Sequence, residues 1–179
     1  MECNGGIPIS TDFLLKFIKI YFDFNDVYVV LVFLLAFAVL YLWKRTKIGW
    51  CLLGALYLCF LISMTLLNRE VSDNMQIAWV PFWSYVEVFQ GEIGLLGQMI
   101  FNVVVFLPWC FLLEKLFPAF HKLRWGVGSA FFLSIIIELS QLFLRLGLFE
   151  FDDIFHNTLG ALAGFYIWRV VKRIRISQE

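Results

Sequence analysis

The sequence has few charged residues and lacks the cysteine patterns of metal-binding or disulfide-linked domains. Charged side chains make up 16% of the 179 residues, and the formal net charge is zero. Without a basic excess, no nucleic-acid partner is expected. The cysteines have no CxxC spacing and most lie in apolar runs, which indicates small buried side chains. They are Cys3, Cys51, Cys59 and Cys110.

Several catalytic and targeting motifs are also absent from the sequence. It has no glycine-rich phosphate loop, no HExxH and no GxSxG, so no nucleotide or other cofactor can be named. Oxygen ligands near His156 would suit Mg²⁺ or Ca²⁺, but their spacing matches no dedicated metal motif, and no metal is predicted. Residues 1–13 lack the basic start and apolar core of a cleavable signal, so no cleavage is expected.

Hydrophobic residues are abundant and occur in long runs. They make up 61% of the chain, against roughly 45–50% in a soluble domain. The runs predict an all-α, polytopic transmembrane helical bundle with spans at about 27–43, 49–67, 95–117, 125–146 and 152–171. Residues 11–23 carry Lys16 and Lys19 among aromatic residues, which favours an amphipathic helix in the membrane interface.

The spans divide the chain into four predicted parts. These are an extracellular amphipathic segment at 1–25, an additional first span with its cytoplasmic turn at 26–48, a membrane domain at 49–171 and a basic tail at 172–179. Membrane lipids are the first expected partners. The sequence leaves a homo-oligomer open.

Lysine and arginine residues are distributed unequally between the two sides of the predicted bundle. Four lie on one side, at Lys16, Lys19, Arg69 and Arg145. Because positive residues accumulate on the cytoplasmic side, we expect the amino terminus outside and the carboxyl terminus inside a bacterial cytoplasmic membrane. The other side holds Lys44, Arg45, Lys47, Lys115, Lys122, Arg124, Arg169, Lys172, Arg173 and Arg175.

Three features concern packing and connections. Pro108 removes a backbone donor within the third span and predicts a kink. Gly160 and Gly164 form a GxxxG motif, which predicts a close helix contact. The long connection at 71–94 is either an interfacial loop anchored by Trp and Tyr residues or a re-entrant lid over a site.

Polar residues recur at helical spacing inside the spans. The fourth span predicts a stripe of Ser134, Glu138, Gln141 and Arg145. The fifth span predicts a second stripe of Asp153, Asn157, Gly160 and Gly164. Asn102 and Arg69 fall at similar depth in the outer halves of their own spans. An ionisable group at a helix centre costs roughly 2.5–3.5 kcal/mol, so we expect one inward cluster that opens outward.

This cluster supplies the candidate site residues. Glu138 and Asp153 are the candidate acid and base residues, and Arg69 and Arg145 are possible countercharges. For Glu138, a protonated structural strut to Asn102 or Asn157 is an open alternative, because an apolar site favours the neutral carboxyl group. The candidate ligand-binding residues are Arg69, Asn102, Gln141, Arg145, Glu150, Asp152 and Asn157.

These residues lie in an ordered set of motifs that resembles the VanZ-like family. The motifs are Arg69, the pair Pro81 and Phe82, the run NVVVFLPWCFLL at 102–113, the ExxQ pair Glu138 and Gln141, and DxxxNTxGxxxG at 153–164. The family often has Asp at the position of Glu150. Many members carry Arg at the position of Gly147, where Arg145 is the candidate replacement.

The resemblance implies an integral membrane protein of the bacterial cell envelope, some of whose relatives lower susceptibility to lipoglycopeptides such as teicoplanin. Together with the polar cluster it favours an outward-facing pocket for an envelope lipid headgroup or a lipoglycopeptide. Two other classes remain open. One is a small transporter or flippase of an envelope amphiphile, and the other is a noncatalytic assembly partner of envelope proteins. Whether the protein is an enzyme also remains open.

Overall fold

The computed structural model describes residues 46–178, apart from Asn68 and Glu70, together with the isolated positions 33, 34, 36 and 38. The predicted interfacial helix at 11–23 lies outside the described residues, as does most of the predicted first span. Among the described residues, three helical segments are long and apolar enough to cross a membrane. They are Lys47–Leu66, Gly94–Leu116 and Leu123–Leu144.

The first of these segments begins with helix α1, Lys47–Ile62. The side chain of Thr46 caps it by accepting a hydrogen bond from the Gly49 backbone at 3.1 Å, which satisfies one of the free donors of the first turn. The helix continues as a π-helical turn at Ser63–Leu67. This turn leads directly to Arg69.

The second segment is divided into two helices. Helix α3 covers Gly94–Phe106 and helix α4 covers Trp109–Leu116. The interruption falls at Leu107 and Pro108, where the missing proline donor predicts a kink. A 3₁₀ turn at Pro118–His121 follows.

Helix α5, Leu123–Leu144, is followed by a tight connection and by helix α6, Phe151–Ile176. The helix ends because Arg145 adopts the left-handed conformation with a φ of 58°. Residues Leu148–Glu150 then form strand β2, which pairs in parallel with strand β1 at Gln76–Ala78. The all-α prediction did not include this pairing, which satisfies backbone groups that an apolar setting would leave unpaired.

Helix α2, Trp83–Gln90, lies between β1 and α3. Helix α6 packs most extensively against α5 and α3. A Cβ atom on Gly160 or Gly164 would overlap the carbonyl oxygens of Val103 and Leu107, respectively. The two backbones therefore approach each other as closely as a GxxxG motif allows.

The buried interior is apolar over most of its extent. The core includes Leu53, Leu61, Phe106, Cys110 and Ala161. Helix α6 has 26 residues, which at 1.5 Å each is long enough to span. It is not among the three apolar segments, so the total of five spans remains a prediction.

Candidate functional site

Buried polar side chains gather where α5 ends and α6 begins. The residues concerned come from the second half of α5, the first half of α6 and helix α2, which is distant from both in sequence. Because the turn after α1 also contacts α5, it brings Arg69 to the same end. We call this region the polar end. Its buried polar residues are Ser84, Ser134, Glu138, Gln141, Asp152, His156 and Asn157.

Glu138 lies at the centre of the polar end. Its side chain is only 1% exposed, and its Oε2 atom accepts a hydrogen bond from the Glu150 backbone at 2.9 Å. The carboxyl groups of Asp153 and Glu150 and the guanidinium of Arg69 are close enough to act on it electrostatically. The structure thus brings together both candidate acid and base residues, Glu138 and Asp153.

Arg69 is the arginine that faces these carboxyl groups. Its guanidinium occupies the space beside Gly147, where an added Cβ would come 2.7 Å from Nη1. Glu138, Glu150 and Asp153 all experience its positive charge. The residue remains exposed overall, so Arg69 stands at the rim of the polar end.

Arg145 is placed differently from the sequence prediction. The predicted stripe on α5 is wrong at this residue, because the helix ends at Leu144 and the backbone of Arg145 turns into the left-handed region. Its side chain is exposed, and Nη1 donates to the Asp73 carbonyl at 3.4 Å. The position beside Gly147 is filled by Arg69, which comes from a different part of the chain.

Glu150 ends β2 and lies between the two helices. Burial and, to a smaller extent, the nearby charge of Asp153 raise the pKa of Glu150 to about 7, against the opposing effect of Arg69. The indole of Trp83 on α2 also acts on this carboxyl group, although it does not form a regular hydrogen bond within the described residues. Glu150 can therefore gain or lose a proton near neutral pH.

Amide side chains connect the polar end to neighbouring helices. Gln141 is 1% exposed and its Nε2 atom donates to the Thr65 carbonyl at 2.9 Å. Within the described residues, its buried Oε1 atom has no hydrogen-bond partner. Asn157 donates to the Ser134 hydroxyl at 2.8 Å, and the half-buried Asn102 faces the carboxyl group of Asp153.

Asp152 holds helix α2 in place. Its Oδ1 atom accepts from the Phe82 backbone, and its Oδ2 atom accepts from the backbone and hydroxyl of Ser84. These bonds satisfy free donors at the start of α2. Sequence reasoning missed this role because the partners are about 70 residues apart and have no local pattern in common.

His156 and Tyr85 form a second link between α6 and α2. The Tyr85 hydroxyl and the His156 Nε2 atom are 2.8 Å apart, and the two rings stack with centroids 5.6 Å apart. The ring of Phe82 packs edge-on against Phe155, with centroids 5.4 Å apart. The segment that sequence analysis left open as loop or lid therefore packs over the start of α6, while its depth in a membrane stays a prediction.

An apolar cavity of about 470 Å³ lies beside the polar end. It is formed between α5 and the beginning of α6, with Phe149 of β2 at its edge. Since successive strand residues point to opposite faces, Phe149 and Glu150 face different sides of β2. The cavity is lined by Phe131, Ile135, Phe149, Phe151, Ile154, Phe155 and Thr158.

The part of the chain that the structure describes contains no group of three or more His, Cys, Asp or Glu residues arranged to hold a metal ion. The carboxyl groups of Glu138 and Asp152 instead accept hydrogen bonds from backbone N–H groups and, for Asp152, also from the Ser84 hydroxyl.

Comparison with known proteins identifies one family. A family model described as VanZ/LLP1 matches residues 54–172, well over half of the chain. This range contains α2 to α5, most of α6 and every polar-end residue described above. No curated protein and no solved structure matches the chain.

Proposed function

Because the chain belongs to the VanZ-like family, we propose that it is a membrane protein of the bacterial cell envelope whose polar end binds the headgroup of an amphiphile. The amphiphile is an envelope lipid or a lipoglycopeptide in the outer leaflet. In this proposal the protein lowers susceptibility to teicoplanin-type antibiotics. Its amino terminus lies outside and its carboxyl terminus in the cytoplasm.

The observation that carries the proposal is the one-sided distribution of buried polar groups. Glu138, Gln141 and Asn157 all lie toward the end where α5 meets α6. The opposite end of the same bundle carries basic residues, including Lys172, which pairs with Glu114 at 3.0 Å. Since basic residues favour the cytoplasmic side, the polar end would face outward.

A polar end beside an apolar cavity suits an amphiphile better than a fully soluble ligand. The headgroup would contact the carboxyl and amide groups near Glu138, and a hydrocarbon chain would enter the cavity between Phe131 and Phe155. Each buried CH₂ group contributes about 0.8 kcal/mol. The polar end and the apolar cavity together would favour a ligand that is already anchored in the membrane.

The individual side chains divide into three roles in this proposal. Glu138 and Asp153 supply charge or acid and base capacity. Asn102, Gln141 and Asn157 orient polar groups of the ligand. Arg69 balances the carboxyl charges, and Asp152 acts indirectly by positioning α2.

The apolar interior of the opposite half favours this binding function over a transporter. An alternating-access path would need polar groups on both sides of the midplane. In the described residues, the buried core around Phe106, Cys110 and Ala161 is apolar. A noncatalytic assembly role and the binding proposal predict different effects when the carboxyl group of Glu138 is removed.

Glu138→Gln and Asn157→Ala variants test the proposal in a teicoplanin-susceptible host. We expect both variants to reach normal abundance in the membrane but to lose drug protection, because each removes a group from the polar end. Antibiotic susceptibility is measured together with the amount of protein in the membrane. Glu92→Gln is the matched control, since Glu92 is an exposed acid between α2 and α3.

Full protection by both variants at normal abundance would contradict the binding function. A proportional loss of abundance and protection would instead favour the assembly role. In that case Glu138 would act as a folding strut. The ratio of protection to abundance therefore separates the two functions.

A further inference from the structure

We propose that the group bound at the polar end is a primary ammonium group, a conclusion that rests on the proposed binding function. The observation behind it is that three carboxyl groups, of Glu138, Glu150 and Asp153, lie within electrostatic reach of the Arg69 guanidinium, and among the described residues none of them forms a salt bridge with it. Three residues after Glu138 on α5 lies Gln141, whose buried amide oxygen has no partner within the described residues. The site thus offers hydrogen-bond acceptors and negative charge in excess.

The charge balance follows from the neighbours of each carboxyl group. Glu138 and Glu150 each sense Asp153 and Arg69. Asp152 is the fourth acid nearby, but its two oxygens are already bonded to Phe82 and Ser84 of α2. When the three remaining acids are ionised, Arg69 neutralises only one of them. A cationic ligand would balance the excess.

The basic residues elsewhere in the described chain do not remove this excess. Arg145 is turned outward and bonds the Asp73 carbonyl. Lys172 is paired with Glu114 at the opposite end. The amide of Asn102 stands beside Asp153, but it is uncharged. An imbalance of charge in a poorly solvated site is costly, so protons or a bound cation must reduce it.

Gln141 provides an independent observation that points to a donor. Its side chain is 1% exposed, and its Nε2 atom is fixed by the Thr65 carbonyl. That bond holds the amide between α5 and the turn that leads to Arg69. Its Oε1 atom can only accept, so a ligand that donates a hydrogen bond would satisfy it.

An ammonium group fits these acceptors better than a phosphate group does. It carries three N–H donors and a positive charge. A phosphate group would be repelled by the carboxylates of Glu138, Glu150 and Asp153. Arg69, which could attract it, already faces those carboxylates. A primary ammonium group also does not require the surrounding oxygen atoms to adopt the fixed coordination geometry that a metal ion needs.

Two sources could supply the ammonium group. One is an aminophospholipid headgroup, and the other is a water-soluble amine such as an amino sugar. Purified protein in detergent is therefore mixed with phosphatidylethanolamine or with phosphatidylglycerol that has the same acyl chains, and lipid binding is measured by native mass spectrometry. In a second arm, glucosamine is compared with N-acetylglucosamine by calorimetry at pH 7, where the amine of glucosamine is mostly protonated.

We expect the amine of at least one pair to bind about tenfold more tightly than its matched control, the effect of about one charge-assisted hydrogen bond. Preference within the lipid pair identifies a lipid source, and preference within the sugar pair identifies a soluble source. Glu138→Gln should reduce the preference toward one. Glu150→Gln is the second variant, since it is only half-buried and leaves α5 intact. Glu92→Gln should leave the preference unchanged.

Equal binding within both pairs would overturn the ammonium proposal. Tighter binding of phosphatidylglycerol that is lost in Glu138→Gln would also overturn it, while leaving the proposed amphiphile site in place. If the variants change neither binding nor drug protection, both proposals fail. Loss of protection without any amine preference would reject only the ammonium group.

Discussion

At the scale of single residues, the polar end depends on which arginine faces the acids. Sequence offered Arg69 and Arg145 as countercharges without a choice between them. The structure places Arg69 beside Gly147 and turns Arg145 to the surface. The absence of a side chain at position 147 makes room for a guanidinium from a distant part of the chain. Gly147 is thus part of the site although it has no functional group.

Replacing Gly147 should therefore disturb ligand binding as well as the backbone conformation. Gly147 and Gly91 have positive φ angles of 143° and 112°, so alanine at either position should lower the free energy of unfolding by about 1–3 kcal/mol. Only Gly147→Ala also meets Arg69, because Gly91 has nothing within 4 Å. We expect both variants to melt at lower temperature and only Gly147→Ala to alter amine binding. Equal effects on binding would contradict this role for Arg69.

Glu150 should make the stability of the ligand-free protein depend on pH. Its pKa rises from 4.5 to about 7 in the folded protein, so the stabilising contribution is complete below pH 4.5 and is lost as the pH rises through about 7. Asp153, Asp152 and Glu138 oppose its ionisation and Arg69 favours it.

The measurement is the melting temperature in detergent between pH 4.5 and pH 8. After a discount for solvent screening, we expect the wild type to lose about 2–4 °C more than Glu150→Gln across this range, equivalent to ~1 kcal/mol. Glu92→Gln should behave like the wild type. An identical pH profile for Glu150→Gln would show that this carboxyl group does not titrate as described.

At the scale of elements, α6 organises the site. It contacts α5 and α3 along its length, and its first turn bonds α2 through Asp152. The close approach at Gly160 and Gly164 fixes its depth relative to α3. Because Asp153 and Asn157 lie on the same helix, this packing also sets their position at the polar end.

Alanine at Gly160 or Gly164 should separate α6 from α3. The new methyl group would meet the backbone oxygen of Val103 or Leu107, which cannot move aside as a flexible side chain can. We expect a loss of about 1–3 kcal/mol in unfolding free energy. Gly128→Ala is the control, because nothing lies within 4 Å of its added Cβ.

Thermal unfolding in detergent measures this difference. Alanine is favoured over glycine inside a helix by about 0.8–1.0 kcal/mol, so Gly128→Ala should be neutral or more stable. A Gly160→Ala protein as stable as Gly128→Ala would show that the close contact with α3 does not limit packing.

At the scale of the whole molecule, polarity separates the two ends of the bundle. Buried carboxyl and amide groups occupy the end near β2, and most cations of the described residues, although not Arg69 and Arg145, occupy the other end. There, Lys115 lies 5.0 Å from the centroid of the Trp168 ring, and Arg169 donates to the His121 carbonyl. Positive charge at one end is typical of a cytoplasmic interface, whereas indole rings occur at both interfaces. The molecule is therefore suited to bind from one side.

This polarity predicts opposite sides for Asp73 and Ser177. In a background without the native cysteines, Asp73→Cys should react with a membrane-impermeant maleimide in intact cells. Ser177→Cys should react only after the cells are opened. Both side chains are exposed, so burial does not limit the reaction. The reverse labelling pattern would contradict the proposed orientation and place the polar end in the cytoplasm.

The sequence alone determined the membrane class, the family resemblance and most members of the polar end. Long apolar runs predicted the helices, because only regular backbone hydrogen bonding is stable in lipid. A spacing of three residues placed Glu138 and Gln141 on one helix face, and a spacing of four residues did the same for Asp153 and Asn157. These signals are local, so they are readable within one helix without knowledge of its neighbours.

Only the tertiary structure decided which groups meet across helices. The bond from Asp152 to Ser84, the pairing of Tyr85 with His156 and the position of Arg69 beside Gly147 all join distant parts of the chain. The sequence also did not predict that α5 ends before Arg145. The left-handed backbone conformation of Arg145 directs its side chain away from the predicted stripe. Such contacts depend on helix packing and backbone turns, and neither has a fixed spacing in the sequence.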